Sequence, residues 1–258
     1  AAYAETQSMF CDSLLEDADW LKRYAKNAAG QSIPDELIHA RIVSTQPMQA
    51  FNERNTAVVA YFERDLYELA DADITPEKLL SLARTHEQRI LGVQIGPRPL
   101  LAIPHLLNQE SAASYHGYLL ANMAVAQTRA YFIKRFGYLT DNPQIGPLLA
   151  QHYWNPGNSI THDMGLRQLT GEGFSARYLA DDCNQTADEA WAQAKACMES
   201  AEKRVYATDY PDKLDAVIRI VDGAQVLADN GVDEEAMCVQ FEAYVQSKYQ
   251  KESAVAGH

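Results

Sequence analysis

Proline and glycine punctuate this chain, and between them apolar residues recur at three- and four-residue intervals. That spacing puts them on one face of a helix, and such faces are buried only by packing helix on helix. A first helix is expected over about Tyr3–Lys26, ending near "AAGQSIP". Pro34 suits the first position of a second helix, "PDELIHARIV", with acids in its first turn. A third runs through "MQAFNERNTAVVAYFERDLYEL". In "ITPEKLLSLARTHEQRIL", Thr75 reads as the N-cap, Pro76 as the first helical residue and Gly92 as the stop. The next segment, "GVQIGPRPLLAIPH", reads as a long loop.

The longest helix is expected over about Leu107–Phe136, with Leu119, Met123, Ala126, Ala130 and Ile133 as its packing stripe and Gly137 as its end. Shorter helices come after it, separated by "TDNPQIG", "NPGNS" and "LTGEG". After "DDCNQT" a further helix covers "ADEAWAQAKACMESAEKRVYA". Asp222-Gly223 then stands between two alternating β-branched runs, a hairpin signal. A last helix covers "DEEAMCVQFEAYVQSKY", and the tail "QKESAVAGH" is expected to fray. The fold class is therefore mainly α. Residues 1–183 form a multi-helix body and 184–258 a helix–hairpin–helix appendage.

Composition removes several classes of function. A net charge of −13 argues against a nucleic-acid partner, which calls for clustered Lys and Arg. No apolar run reaches about 18 residues, so no membrane-spanning helix is expected. The first residues, "AAYAETQSMF", lack the basic and apolar regions of a signal peptide, and a cytoplasmic location is expected. Cys11, Cys183, Cys197 and Cys238 form no CxxC pair and read as reduced structural thiols.

No two of the seven histidines have HxxxH spacing, and there is no HExxH, Gly-rich phosphate loop or GxSxG. One stretch stands out, "SYHGY" at residues 114–118. Tyr115 and Tyr118 are three apart and share a helix face. Gly117 weakens a helix and suggests close approach by another backbone or a ligand. On spacing alone, two core tyrosines bonded to carbonyls are the favoured reading of the stretch. His105 follows Pro104 at a loop-to-helix junction, and Glu5 on its own reads as a solvated acid.

Several segments, in order, change that reading. "AETQSMFCDSLLEDADWLKRYA" resembles the stretch after the zinc motif in the thimet oligopeptidase/oligopeptidase F family of zinc metallopeptidases. "SIPDELIHARIVSTQPMQAF" fits the helix after it, and "PHLLNQESAASYHGYLLANMAVAQTRAYF" looks like the family's histidine and tyrosine-rich helix. "HYWNPGNS" resembles the family's glycine loop, with one glycine where two are common, and "LTGEGFSARYL" its closing segment. The resemblance covers residues 1 to about 183.

What the resemblance implies is specific. Zinc is held by two histidines of an HExxH helix, which also supplies the general base, and by a Glu from the next helix, matched here by Glu5. His105, Tyr115 and Tyr118 are the implied catalytic residues, with Tyr118 matching the tyrosine that donates to the tetrahedral oxyanion; His116, Gly157 and Asn158 are implied to touch substrate. The implied substrate is a short peptide, and the implied partner is a missing N-terminal half carrying HExxH. Zinc belongs to the complete enzyme, and this chain alone is expected to bind none and to cleave no peptide, since one carboxylate cannot replace three ligands. The alternatives are a non-catalytic peptide-binding module or pseudo-enzyme subunit, and a helical structural protein whose likeness is accidental.

Overall fold

The computed structural model describes residues 2–94, 100–204 and 215–255, with side chains to 249. The chain forms two compact units, residues 1–204 and 205–258.

In the first unit the expected opening helix is two helices, α1 (Ala2–Ser13) and α2 (Ala18–Tyr24), joined by the short turn Leu14–Glu16. Asp17 causes the break. Its backbone is extended, at φ −69° and ψ 131°, and its carboxylate pairs with Arg129 instead of capping α2. Burial raises the Asp17 pKa and Arg129 opposes that rise. Pro34 stands one residue before α3 (Asp35–Thr45), in the N-cap position. α4 (Gln49–Tyr67) matches the third expected helix. α5 (Pro76–His86) starts as expected, with the Thr75 hydroxyl accepting from Lys78 N at 3.2 Å. A π-turn (Glu87–Leu91) continues it to Gly92, whose φ of +76° ends the element. Part of the expected loop, residues 95–99, lies outside the described residues.

The expected Leu107–Phe136 helix begins nine residues later, as α6 (His116–Phe136). The Asn108 side chain accepts from Glu110 N at 2.9 Å and turns the chain. Ala113, at φ +57°, keeps the helix from starting sooner. The buried stripe also differs from the expected one. Ile133 is 37% exposed and Leu119, Met123 and Ala130 are half-buried. Gly117, Ala121, Ala124, Thr128 and Phe132 line the buried face, with Ala126 and other neighbours widening it. Small residues take these places because α1 packs closely on α6, leaving the larger ones to flank the contact.

The unit continues with α7 (Ile145–Leu149), a second π-turn (Ala150–Trp154), α8 (His162–Thr170), α9 (Arg177–Asn184) and α10 (Ala187–Ala201). α10 opens with a capping box between Thr186 and Glu189. It packs on α2 and α3 around Ile38 and Met198. An ion pair at 2.6 Å between Arg204 and the buried Asp19 fastens the end of the unit. The unit includes α10 and ends at residue 204.

Two larger cores fix the helices that carry the candidate site. One lies among α1, α6, α7 and α8, around Phe10, Phe132, Leu149 and Leu166. The other lies among α4, α5 and the turns before Asn108, around Val58, Phe62, Leu91 and Leu106.

In the second unit, β1 (Arg219–Asp222) and β2 (Gln225–Asp229) pair antiparallel, and α11 (Glu234–Val255) comes after them. The turn residues are Gly223-Ala224, one place on from the expected pair, with Gly223 at φ +57°. A bulge lies between Ile220 and Val221. The tail expected to fray is helical in backbone to Val255; residues 256–258 lie outside the described ones.

Candidate functional site

His105 lies in the short turn Pro104–Leu107, and Tyr115 and Tyr118 lie at the start of α6. Pro104 starts that turn, and the Asn108 turn brings the chain back so that the three rings meet. His105 Nε2 is 3.1 Å from the Tyr118 hydroxyl. The His105 ring stands edge-on to Tyr115 at 5.2 Å and to Tyr118 at 5.6 Å. The two tyrosine rings are 5.2 Å apart, also edge to face. Each contact has the geometry that aromatic quadrupoles favour.

The Tyr118 phenol meets a histidine, not the backbone carbonyl that a plain core tyrosine would find. Its pKa is raised, chiefly by desolvation, then by the charge of Glu5 and by Tyr115. Among the described residues, His105 Nδ1 is buried with no hydrogen-bond partner. A buried ring N–H without an acceptor costs more than a bare lone pair. The proton is therefore assigned to Nε2, which donates to the Tyr118 oxygen. The phenol hydrogen is then free to donate elsewhere.

Glu5 is half-buried and accepts from the Ser8 hydroxyl at 3.0 Å, one turn along α1. The next residue, Thr6, is buried and bonded to His162 Nε2 at 3.1 Å. Burial lowers the His162 pKa. The Tyr3 hydroxyl donates to the Tyr153 carbonyl at 2.5 Å. These bonds set the position of α1 and hence of Glu5.

Of the expected site residues, the structure gathers His105, Tyr115 and Tyr118, and the charge of Glu5 acts on Tyr118. His116 is exposed at the first position of α6, turned away from the ring face by one residue. Gly157 and the exposed Asn158 lie in the turn Gly157–Ser159, where Ser159 bonds back to Pro156. None of the described hydrogen bonds or ring contacts joins these three to the cluster.

Reading the sequence missed two residues beside the cluster. Glu63 is buried and accepts from Ala113 N at 2.7 Å and Tyr115 N at 3.4 Å. The Tyr67 hydroxyl donates to the Leu106 carbonyl at 2.9 Å. The one signal available was their spacing of four on α4, which places both on one face.

Residues 1–185 match the family described as Peptidase family M3, and the chain belongs to that family. This bears out the metallopeptidase resemblance. A search among curated proteins finds no match. The family is generally zinc-dependent. The residues present do not fit a zinc ion by themselves. The sequence has no HExxH, and among the described residues no group of three or more His, Cys, Asp or Glu could hold a metal. Among the described residues no helix is long and apolar enough to cross a membrane.

Proposed function

We propose that this chain supplies the substrate side of an oligopeptidase site for short peptides. Tyr118 donates its phenol hydrogen to the carbonyl oxygen of the bond to be cleaved. His105 holds the phenol oxygen through Nε2 and so directs that hydrogen outward. Tyr115 walls the pair, which strengthens donation by excluding water. Glu5 stands ready as a single metal-ligating carboxylate. The other ligands and the general base belong to residues other than these 258, and this chain alone is inactive. The observation that carries the reading is the bonded His105–Tyr118 pair within electrostatic reach of Glu5.

Calorimetric titration with a mixture of short unlabelled peptides tests it. Binding should weaken about tenfold in Tyr118→Phe, the loss of one well-placed hydrogen bond. Unchanged affinity in a folded Y118F variant overturns the reading. Equilibrium dialysis should find no stoichiometric zinc; a full equivalent that Glu5→Gln abolishes would sink the claim that the chain is inactive alone.

A second reading has one observation in its favour, the absence of HExxH from the sequence. It is a peptide-binding module without catalysis. Adding a separately expressed HExxH segment from the same family distinguishes the two. Restored hydrolysis favours the enzyme, and undiminished binding with no hydrolysis favours the module.

A further inference from the structure

We propose that Glu63 and Tyr67 of α4 are positioning residues that fix the His105 turn and the start of α6, and thereby set the His105–Tyr118 pair. The inference rests on the reading of that pair as the peptide-carbonyl donor.

The two residues sit one helical turn apart and grip opposite ends of one excursion of the chain. Tyr67 holds the carbonyl of Leu106, next to His105, at 2.9 Å. Glu63 holds the amides of Ala113 and Tyr115, at 2.7 and 3.4 Å, just before α6. His105 and Tyr118 are 13 residues apart, and residues 108–115, between the His105 turn and α6, contain no strand or helix to fix their path. Tying both ends to one rigid helix replaces that missing rigidity.

The chemistry of each grip fits the role. Glu63 is 3% exposed, and a buried carboxylate is tolerated only where donors meet it. It receives one from Ala113, whose φ of +57° is disfavoured for a residue with a Cβ and needs outside support. It also faces the amino end of α6, where the helix dipole favours a negative charge. The charge of Glu63 helps raise the Tyr67 phenol, after burial, so the two grips also lie within electrostatic reach of one another.

A merely structural cap would stabilise α6 without affecting the donor pair, so the test reads the pair directly. Imidazole ¹⁵N and tyrosine ¹³Cζ NMR signals of His105 and Tyr118 are compared in the wild type, E63Q, E63A and Y67F. Peptide affinity is measured alongside. E63Q keeps one acceptor oxygen for Ala113 N; E63A keeps none; Y67F loses only the bond to Leu106. Y67F and E63A should move the His105 Nε2 signal away from its hydrogen-bonded value and weaken peptide binding about fivefold, with E63Q between wild type and E63A.

Unmoved His105 and Tyr118 signals in folded E63Q and Y67F overturn the proposal, and these two variants decide it if E63A does not fold. Moved signals with unchanged affinity in a wild type that binds peptide also overturn it. If the wild type binds no peptide, the functional reading fails by itself, and moved signals still uphold the positioning of the pair.

Discussion

The two sides of the candidate site are held in different ways. On the donor side, His105 and Tyr118 bond each other, Tyr115 packs against both, and α4 holds the backbone at either end. On the carboxylate side, the whole of α1 is fixed, through Phe10, Tyr3 and Thr6, while Glu5 itself bonds a serine of its own helix. The difference suits the task that the proposed function gives each group. A neutral donor stabilises a developing charge only if its direction is set beforehand. A carboxylate acts at longer range and completes its geometry with whatever ligands join it.

The strongest way to break this comparison is to remove the packing that fixes α1 on α6. Phe132 is fully buried and meets Phe10 edge-on, with ring centroids at 6.0 Å. Phe132→Ala should cost about 3–5 kcal/mol, read by urea unfolding. Hydrogen exchange should quicken in α1 before α4. Equal quickening in both would show that the two sides are one cooperative piece.

A smaller effect is expected at Thr128 and Tyr153, whose hydroxyls meet at 2.8 Å in the interior. Burial raises the Tyr153 pKa. Thr128→Val leaves that hydroxyl unpaired and should cost about 1–3 kcal/mol. Adding Tyr153→Phe should return part of the loss, since no buried hydroxyl is then left orphaned. A double-mutant cycle by thermal unfolding measures the coupling.

Thr186→Ala removes a capping box in α10, away from both sides, and should cost about 1 kcal/mol. Peptide affinity should not change. A change would mean that α10 takes part in the site.

The last test is one of pH. Burial lowers the His162 pKa from 6.5, with Asp163 opposing. As the pH falls through 6.5 the unfolded chain takes up the proton before the folded one, so stability drops with it. Asp163 is held low by Phe174 N and Arg167, so its contribution fades only below 3.8. Unfolding monitored at about pH 7.5 and about pH 5.5 should show a decline in wild type that His162→Gln flattens. The decline should be greatest in α1, through Thr6. An equal decline in both proteins would assign it elsewhere.

Much of this architecture was legible beforehand because proline, glycine and cap residues act locally. Thr75, Pro76, Gly92, Gly137 and the turn at Gly223 each set an end or a reversal from their own backbone preferences. The ring cluster was legible only through family likeness, since two tyrosines three apart do not say what they face. What escaped was decided at a distance. Asp17 breaks the first helix while its carboxylate is held by Arg129, 112 residues on. Glu63 lies unmarked within "AYFERDLYEL", and its burial depends on amides 50 and 52 residues away. The late start of α6 comes from Asn108 folding its side chain back onto the chain, a choice that a helical pattern conceals.

The π-turn after α5 has a consequence for how this protein can change over time. Such a turn holds one residue more than an ordinary helical turn, and here consecutive residues His86 and Glu87 both turn inward, to Asp65 and Arg84. A lineage that lost a single codon between 87 and 91 would keep a continuous helix, but everything beyond the deletion would rotate by about a quarter turn. Leu91 would leave the core that also holds Leu106, the neighbour of His105. Length is thus constrained in this stretch as well as the identity of the buried Glu87 and Leu91.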